Sequence, residues 1–109
     1  MNEIMQELLE TVRDWESLTV DHSHHGDITL TVGRRQVGHF HDQAIHVPFP
    51  RSVRDSVIES GEADPHPYNP DSGWVEVPLE EEADLKRGRA IIEKATRLAQ
   101  SANEKKTNE

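Results

Sequence analysis

Residues 33–50 read GRRQVGHFHDQAIHVPFP, and they combine a glycine turn, two alternating segments and a proline stop. Polar and apolar residues alternate on both sides of Asp42-Gln43, as they do in two antiparallel strands joined by a two-residue turn. Such a hairpin pairs Phe40 with Ile45 and places both on its apolar face. The stretch therefore predicts two neighbouring strands of an antiparallel sheet.

Three of the seven histidines lie in this stretch, and the hairpin register gathers them on one face. His39 pairs with His46 in that register, and His41 follows two residues after His39 on the same side of the strand. Slipping the register by one residue would turn the histidines towards the core. We therefore predict one face that builds the core and an opposite face that carries the three imidazoles.

The strand before this stretch must agree with the same two faces. Residues 27–32, DITLTV, alternate cleanly, and their apolar members face the core only if Ile28 pairs with Phe40. A two-residue turn alone would place Ile28 opposite a histidine. The sequence therefore predicts either a three-residue loop over residues 33–35 or a bulge near Gly38.

The segments around these strands complete the domain. Apolar residues at helical spacing predict helices, alternating residues predict strands, and segments rich in Pro, Gly and polar residues predict loops. Before the central strands we predict a helix over residues 2–14 with Asn2 as its N-cap, a short strand over 18–22 and a loop over 22–27. After them we predict a helix from Pro50 to about Ser60, an irregular loop over 62–73 and a strand from Trp74 to Val77. The last helix opens within 78–82, and its predicted buried residues are Leu85, Ile91, Ile92, Ala95, Leu98 and Ala99.

The order α-β-β-β-β-α-β-α predicts an α+β domain. In this fold an antiparallel sheet of about five strands carries helices packed on one of its faces. We expect a single domain over residues 1–100, followed by a polar C-terminal tail, residues 101–109, that frays.

Composition restricts the classes of function. The chain has 12 Lys and Arg against 21 Asp and Glu, so its net charge is −9 with neutral histidines. Such a surface repels nucleic acids and anionic membranes, and this acidic, lysine-poor composition suggests a salt-adapted source. The chain has no cysteine, which excludes thiolate chemistry. Without a bilayer-length apolar run or a signal peptide, we expect a soluble cytoplasmic protein.

The chain resembles a family called the luciferase domain in three runs: GRRQVGHFH at residues 33–41, VPFPRSVRDSVIESGEADPH at 47–66 and PDSGWVEVPL at 70–79. The resemblance covers roughly residues 26–100, and its most specific pieces are Gly38-His39-x-His41, Pro48-Phe49-Pro50 and Ser72-Gly73-Trp74. The family is a domain of unknown function, so the resemblance implies no reaction. The layout is also similar to that of the YjbR-like group, whose fold resembles that of frataxin. Some members of that group have been proposed to bind DNA, a role that the net charge of −9 opposes.

The leading candidate is a metal site in which His39, His41 and His46 bind a divalent transition metal ion such as zinc. Histidines two apart on a strand lie about 6.5–7 Å apart, and a cross-strand partner lies about 5 Å away. Three imidazoles leave a coordination position open for water, as in metal-dependent hydrolases. Asp27 is a candidate fourth participant. The alternative is a solvated face on which the histidines bond to neighbouring polar groups.

Two further candidates come from arginines and a serine. Arg34 and Arg35, together with two arginines of the following helix, could bind an anion through their guanidinium forks. Surface pairing with the abundant carboxylates is the alternative. Ser72 could act as a nucleophile with His39 or His66 as its base, but Asp-Ser-Gly is also ordinary turn chemistry.

Three functions are consistent with these features. We expect a module that binds a small molecule or a protein through the histidine-bearing face and the 62–73 loop. A metal-dependent hydrolase at His39, His41 and His46 is the enzymatic alternative. A regulatory protein that presents its acidic surface to a basic partner is the third.

Overall fold

The computed structural model describes residues 2–24, 27–41, 43–68 and 71–107, and the side chains of residues 23, 24 and 103–107 are not described. The elements in chain order are α1 (Glu3–Val12), β1 (Thr19–His24), β2 (Asp27–Val32), β3 (Arg35–His41), β4 (Ala44–Pro48), α2 (Arg51–Glu59), β5 (Asp64–Pro65), β6 (Trp74–Pro78) and α3 (Glu82–Thr107). The strands form one antiparallel sheet in the order β1-β2-β3-β4-β6-β5. The α+β fold class is therefore confirmed, with six strands in place of about five.

The register of the central strands is the predicted one. Phe40 pairs with Ile28 on one side and with Ile45 on the other, and His39 pairs with His46. A three-residue loop or a bulge near Gly38 would each place the apolar residues of both hairpins on one face, and the structure contains the bulge. Val37 is the extra residue, because Leu30 pairs with Gly38 while the next residue of β2 pairs with Gln36.

A tight turn precedes the bulge. Gly33 has a φ of 62°, in the left-handed region that favours glycine, and Val32 pairs with Arg35 across a two-residue connection. Taken alone, this turn would put the core residues of β2 opposite the histidines of β3. The bulge shifts the pairing by one residue, so that the apolar residues of β2 and β3 lie on the same face of the sheet.

The core lies on one face of the sheet, between it and the helices. β2, β3, β4 and β6 contribute alternate residues, and α1 and α3 supply the opposing layer. The members with the largest fully buried side chains are Phe40, Leu8, Leu30, Ile45, Leu79, Ile91 and Ile92. The opposite face of the strands is left for polar side chains.

Asn2 joins α1 to the rest of the fold. Its Oδ1 accepts a hydrogen bond from the Met5 amide at 2.8 Å, which is the predicted N-cap. Its Nδ2 donates to the Leu79 carbonyl, also at 2.8 Å. One side chain thus caps α1 and ties it to the segment that follows β6.

The segment between α2 and β6 contains a short strand that the sequence pattern does not predict. Asp64 pairs with Glu76 and Pro65 with Val75, so the predicted irregular loop over residues 62–73 is interrupted by β5. A proline is tolerated here because β5 is an edge strand. This pairing brings the residues after β5 next to the central strands.

Two other boundaries differ from the predictions. The prediction of a loop over residues 22–27 is wrong for residues 22–24, which belong to β1, and for Asp27, which begins β2; residues 25 and 26 lie outside the described residues. His24 and Asp27 pair with each other across a shift in register. Backbone pairing with β2 outweighs the weak strand propensity of this polar segment.

The last helix also differs in one buried position. Ile91, Ile92, Ala95 and Ala99 are buried as predicted, but Leu98 is 38% exposed while Thr96 is buried. The helix continues through Thr107, into the segment predicted as a tail. Among the helices of the described residues, none has both the length and the apolar character needed to cross a membrane.

Two short motifs interlock at the end of β4. The Phe49 amide donates to the Gly73 carbonyl at 2.9 Å, and Pro48 pairs with Trp74. A Cβ at position 73 would lie 2.4 Å from the Phe49 carbonyl oxygen. Only glycine permits this approach of two backbones, which explains Pro-Phe-Pro and Ser-Gly-Trp as parts of one contact.

We expect Gly73→Ala to lower the free energy of unfolding by about 1–3 kcal/mol, because the backbone must move to accommodate the methyl group. Urea denaturation monitored by Trp fluorescence measures the loss. Gly38→Ala is the matched control, since its Cβ would meet the side-chain Cδ1 of Ile45 at 3.3 Å rather than a backbone atom and should cost less. Equal losses in the two variants would contradict this reading of the contact.

Candidate functional site

Six polar side chains form a row across the sheet face opposite the core. We call this row the imidazole row. It begins on β2, crosses β3, β4 and β6, and ends just after β5. Its members are Asp27, His39, His41, His46, Glu76 and His66. In strand order, three imidazoles therefore lie between the two carboxylates, and His66 lies beyond Glu76.

One end of the row brings together two imidazoles and a carboxylate. His41 Nδ1 lies 3.3 Å from Asp27 Oδ1, and His39 Nε2 lies 3.8 Å from Asp27 Oδ2. The two histidine rings are 5.6 Å apart between centroids. One ligand atom from each of the three residues lies within 4.8 Å of the other two. All three are half-buried, so this cluster can hold a metal ion at the surface.

The cluster follows from the register described above. His39 and His41 lie on the same side of β3, since they are two residues apart, and the pairing of Ile28 with Phe40 sets Asp27 beside His41. The bulge at Val37 keeps these side chains away from the core. Local backbone geometry, rather than a loop, thus positions the three groups.

His46 lies in the middle of the row, but it is engaged elsewhere. It is only 5% exposed, and its Nε2 lies 2.9 Å from Glu76 Oε2 on the neighbouring strand. Its ring centroid is 5.6 Å from that of His39 and 6.0 Å from that of His41. The structure thus brings together all three histidines predicted for the site, while Asp27 completes the tighter cluster.

His66 extends the row from the segment after β5. Its ring lies 4.6 Å from that of His46, and its Nδ1 accepts a hydrogen bond from the Tyr68 amide at 3.2 Å. Sequence reasoning mentions His66 only as a base for Ser72, and it misses Glu76. Alternation in β6 marks Glu76 as an outward residue, but only the pairing of β4 with β6 brings it to His46.

Electrostatics keep parts of the row neutral. Burial lowers the pKa of His39 below 6.5, the nearby His46 and His41 lower it further, and Asp27 partly opposes them. Burial and the charge of His46 also lower the pKa of His66, against the opposing effect of Glu76. Both rings are therefore neutral at pH 7, which is the form in which imidazole binds a metal ion.

The arginines predicted as an anion site belong to different elements of the fold. Arg34 and Arg35 lie at the exposed turn between β2 and β3, whereas Arg51 and Arg54 belong to α2. Arg51 donates to the Asp71 carbonyl at 3.3 Å. Arg54 pairs with its neighbour Asp55 at 2.6 Å.

Ser72 takes part in the turn before β6. Its Oγ accepts a hydrogen bond from the Trp74 amide at 3.2 Å, the two-residue pattern of a serine turn. This contact supports the connection between Phe49 and Gly73. Trp74 itself is half-buried, and its ring meets that of His39 edge-on at 6.4 Å.

We expect the His39 ring of protein kept metal-free with EDTA to titrate below pH 6.5, and its pKa to rise in His46→Gln because a neighbouring positive charge is removed. Two-dimensional NMR of the imidazole protons measures both values. Since the unfolded chain binds this proton at higher pH than the native chain, native stability falls as the pH drops through the lowered pKa. A His39 pKa at or above 6.5 would contradict the burial and charge described here.

Comparison with known proteins identifies one family. Its model, described as "Luciferase domain", matches residues 34–95. No curated protein and no solved structure matches the chain. The matched segment includes the four histidines of the imidazole row and Glu76, whereas Asp27 lies before it. Because the match covers more than half of the 109 residues, the chain belongs to the luciferase domain family.

Proposed function

We propose that the chain is a binding module whose imidazole row holds a divalent transition metal ion such as zinc, with Asp27, His39 and His41 as its protein ligands. The observation that carries the proposal is the approach of three ligand atoms to within 4.8 Å of one another. The ligand atoms of a tetrahedral zinc site are about 3.3 Å apart. Small side-chain rotations would therefore complete the site without moving the backbone.

The chemistry of the three donors supports the proposal. Two imidazole nitrogens and one carboxylate oxygen suit zinc, and the same donors also bind Fe(II) and related ions. His39 is neutral at pH 7, so no proton has to be displaced from it. Three protein ligands leave at least one coordination position for a small ligand.

His46 is the alternative third ligand, as the sequence predicts. Its hydrogen bond to Glu76 would have to break before its Nε2 could bind an ion. Breaking this contact would leave a half-buried carboxylate without its imidazole partner, at a cost of about 1–3 kcal/mol. This cost favours Asp27 over His46.

We expect untagged, metal-free protein to bind one Zn²⁺ per chain in isothermal titration calorimetry, with a rise in melting temperature. Asp27→Asn and the double variant His39→Ala, His41→Ala should each weaken binding at least about tenfold, because a charged or basic ligand is lost. Elemental analysis of the purified protein gives an independent measure of stoichiometry.

Two variants serve as comparisons for this titration. His22→Gln alters an exposed histidine of the edge strand β1 and should bind zinc like the native chain. His46→Gln separates the two ligand sets, since it should retain binding if Asp27 is the third ligand. A native chain whose melting temperature does not change with Zn²⁺ would refute the proposal.

A metal-dependent hydrolase is the second candidate, and the pair of His46 and Glu76 favours it. A carboxylate that holds an imidazole in one orientation, next to an ion with an open position, is a common arrangement for proton transfer. The ion would supply an activated water at neutral pH. The imidazole rings of His39 and His46 are 5.6 Å apart, so this pair borders the cluster.

For this enzymatic alternative, we expect the zinc-loaded chain to hydrolyse bis(4-nitrophenyl) phosphate faster than Asp27→Asn, and Glu76→Gln to lower the rate about 10²-fold or more while zinc binding is retained. Release of 4-nitrophenolate measures the rate. Equal rates for the native chain, Glu76→Gln and free zinc would limit the function to binding.

A further inference from the structure

An apolar groove lies at the opposite side of the molecule from the imidazole row, where β3 begins, β4 ends and α3 passes. Its volume is about 540 Å³. We call it the α3 groove. Its lining combines the bulge residue Val37, the Pro-Phe-Pro turn and the side chains of α3 that face them. This volume is in the range of small-molecule sites, which are about 300–1,000 Å³.

Small side chains on α3 create the groove. Ala95, Ala99 and Ala102 lie on one side of the helix, at spacings of four and three residues, and they line one wall. Together they cover about 10 Å of the helix axis. Phe49 forms part of the facing wall. The wall of alanines leaves open the space that larger side chains would fill.

The exposure of Leu98 indicates that the α3 groove binds another apolar group. Its position in the helical pattern predicts burial, yet it is 38% exposed and lines the groove. Among the described residues, only Leu98 and Tyr68 are large apolar or aromatic side chains classed as exposed. An exposed leucine alone needs no explanation. An exposed leucine within an apolar groove indicates a surface that binds an apolar group.

The charge at the groove selects the kind of ligand. Among the lining residues whose side chains the structure describes, Arg35 is the single charged one and none is a carboxylate. The chain as a whole has 21 acidic residues, so a site without them differs from the general surface. A guanidinium matches one carboxylate through two parallel hydrogen bonds. The positive charge of Arg35 provides this preference whatever other groups its guanidinium contacts.

We propose that the α3 groove binds a monocarboxylate with an extended apolar body, whose chain lies along Ala95, Leu98 and Ala99 and whose carboxylate meets Arg35. Apolar burial supplies most of the affinity, and Arg35 supplies the preference for an acid. This site is separate from the imidazole row and needs no metal ion. A phosphate headgroup suits the groove less, because its second charge would meet one arginine in an acidic protein.

The test compares three probes with the same apolar chain: decanoate, 1-decanol and decylamine, each kept below its aggregation limit. ¹⁵N-labelled protein is titrated in EDTA, so that the imidazole row carries no ion. We expect saturable one-to-one binding of decanoate, with shifts of amide signals confined to residues 35–37, Phe49 and residues 95–102. Decanol should bind about tenfold more weakly and decylamine more weakly still.

Three variants assign the interaction. Arg35→Gln should weaken decanoate binding about tenfold and leave decanol unchanged. Ala102→Phe, at a half-buried position, should fill the groove and weaken both probes at least about tenfold. Arg13→Gln is the matched control, because it removes an exposed arginine that does not line the groove. It should bind decanoate like the native chain.

The following results would overturn the proposal. Equal affinities for decanoate and decanol would show that Arg35 does not select an acid. Shifts outside the α3 groove, or unchanged binding by a folded Ala102→Phe, would place the probes elsewhere. The absence of saturable binding by any of the three probes would remove the site altogether.

Discussion

The single extra residue in β3 determines which side chains of the sheet face the core and which face outward. Val37 occupies a bulge, so Phe40 pairs with apolar residues on both neighbouring strands while the histidines on either side of it turn away. Burial of Phe40 and of Ile45 contributes about 1.5–3 kcal/mol each. A slip by one residue would lose both contributions and would bury imidazoles without partners, so the observed register is strongly favoured.

The same constraint assembles the polar face. Three imidazoles come from the adjacent strands β3 and β4, a fourth follows the edge strand β5, and β2 and β6 supply carboxylates. The hydrogen bond between His46 and Glu76 satisfies an imidazole that is otherwise almost fully buried. Burial and neighbouring charge keep His39 and His66 neutral near pH 7. Protonation of these two rings on acidification lowers the stability of the native chain.

The central hairpins could be predicted from the sequence because alternation around Phe40 admits only one consistent register. A bulge and a three-residue loop are both compatible with this register, and nothing in the local sequence distinguishes between them. Asp64-Pro65 is too short to show a strand pattern, so β5 was missed, and the place of His66 beside His46 was missed with it. Glu76 could be assigned to the outer side of β6. Its contact with His46, however, joins residues 30 apart and depends on a strand pairing that periodicity does not show.

Leu98 is the other instructive case. Helical spacing places it with Ala95 and Ala99, yet it is 38% exposed, because its burial depends on tertiary layout rather than on the pattern of α3. The molecule thus has a polar site on one side of its sheet and an apolar groove on the other.

X-ray absorption spectroscopy and anomalous diffraction at the zinc edge, on crystals of the zinc-loaded chain, test the central claim most directly. We expect one ion per chain at about 2.0–2.1 Å from a nitrogen of His39 and a nitrogen of His41 and about 2.0–2.2 Å from an oxygen of Asp27, with the contact of His46 and Glu76 intact. A zinc peak away from these three residues, or none at stoichiometric loading, would contradict it.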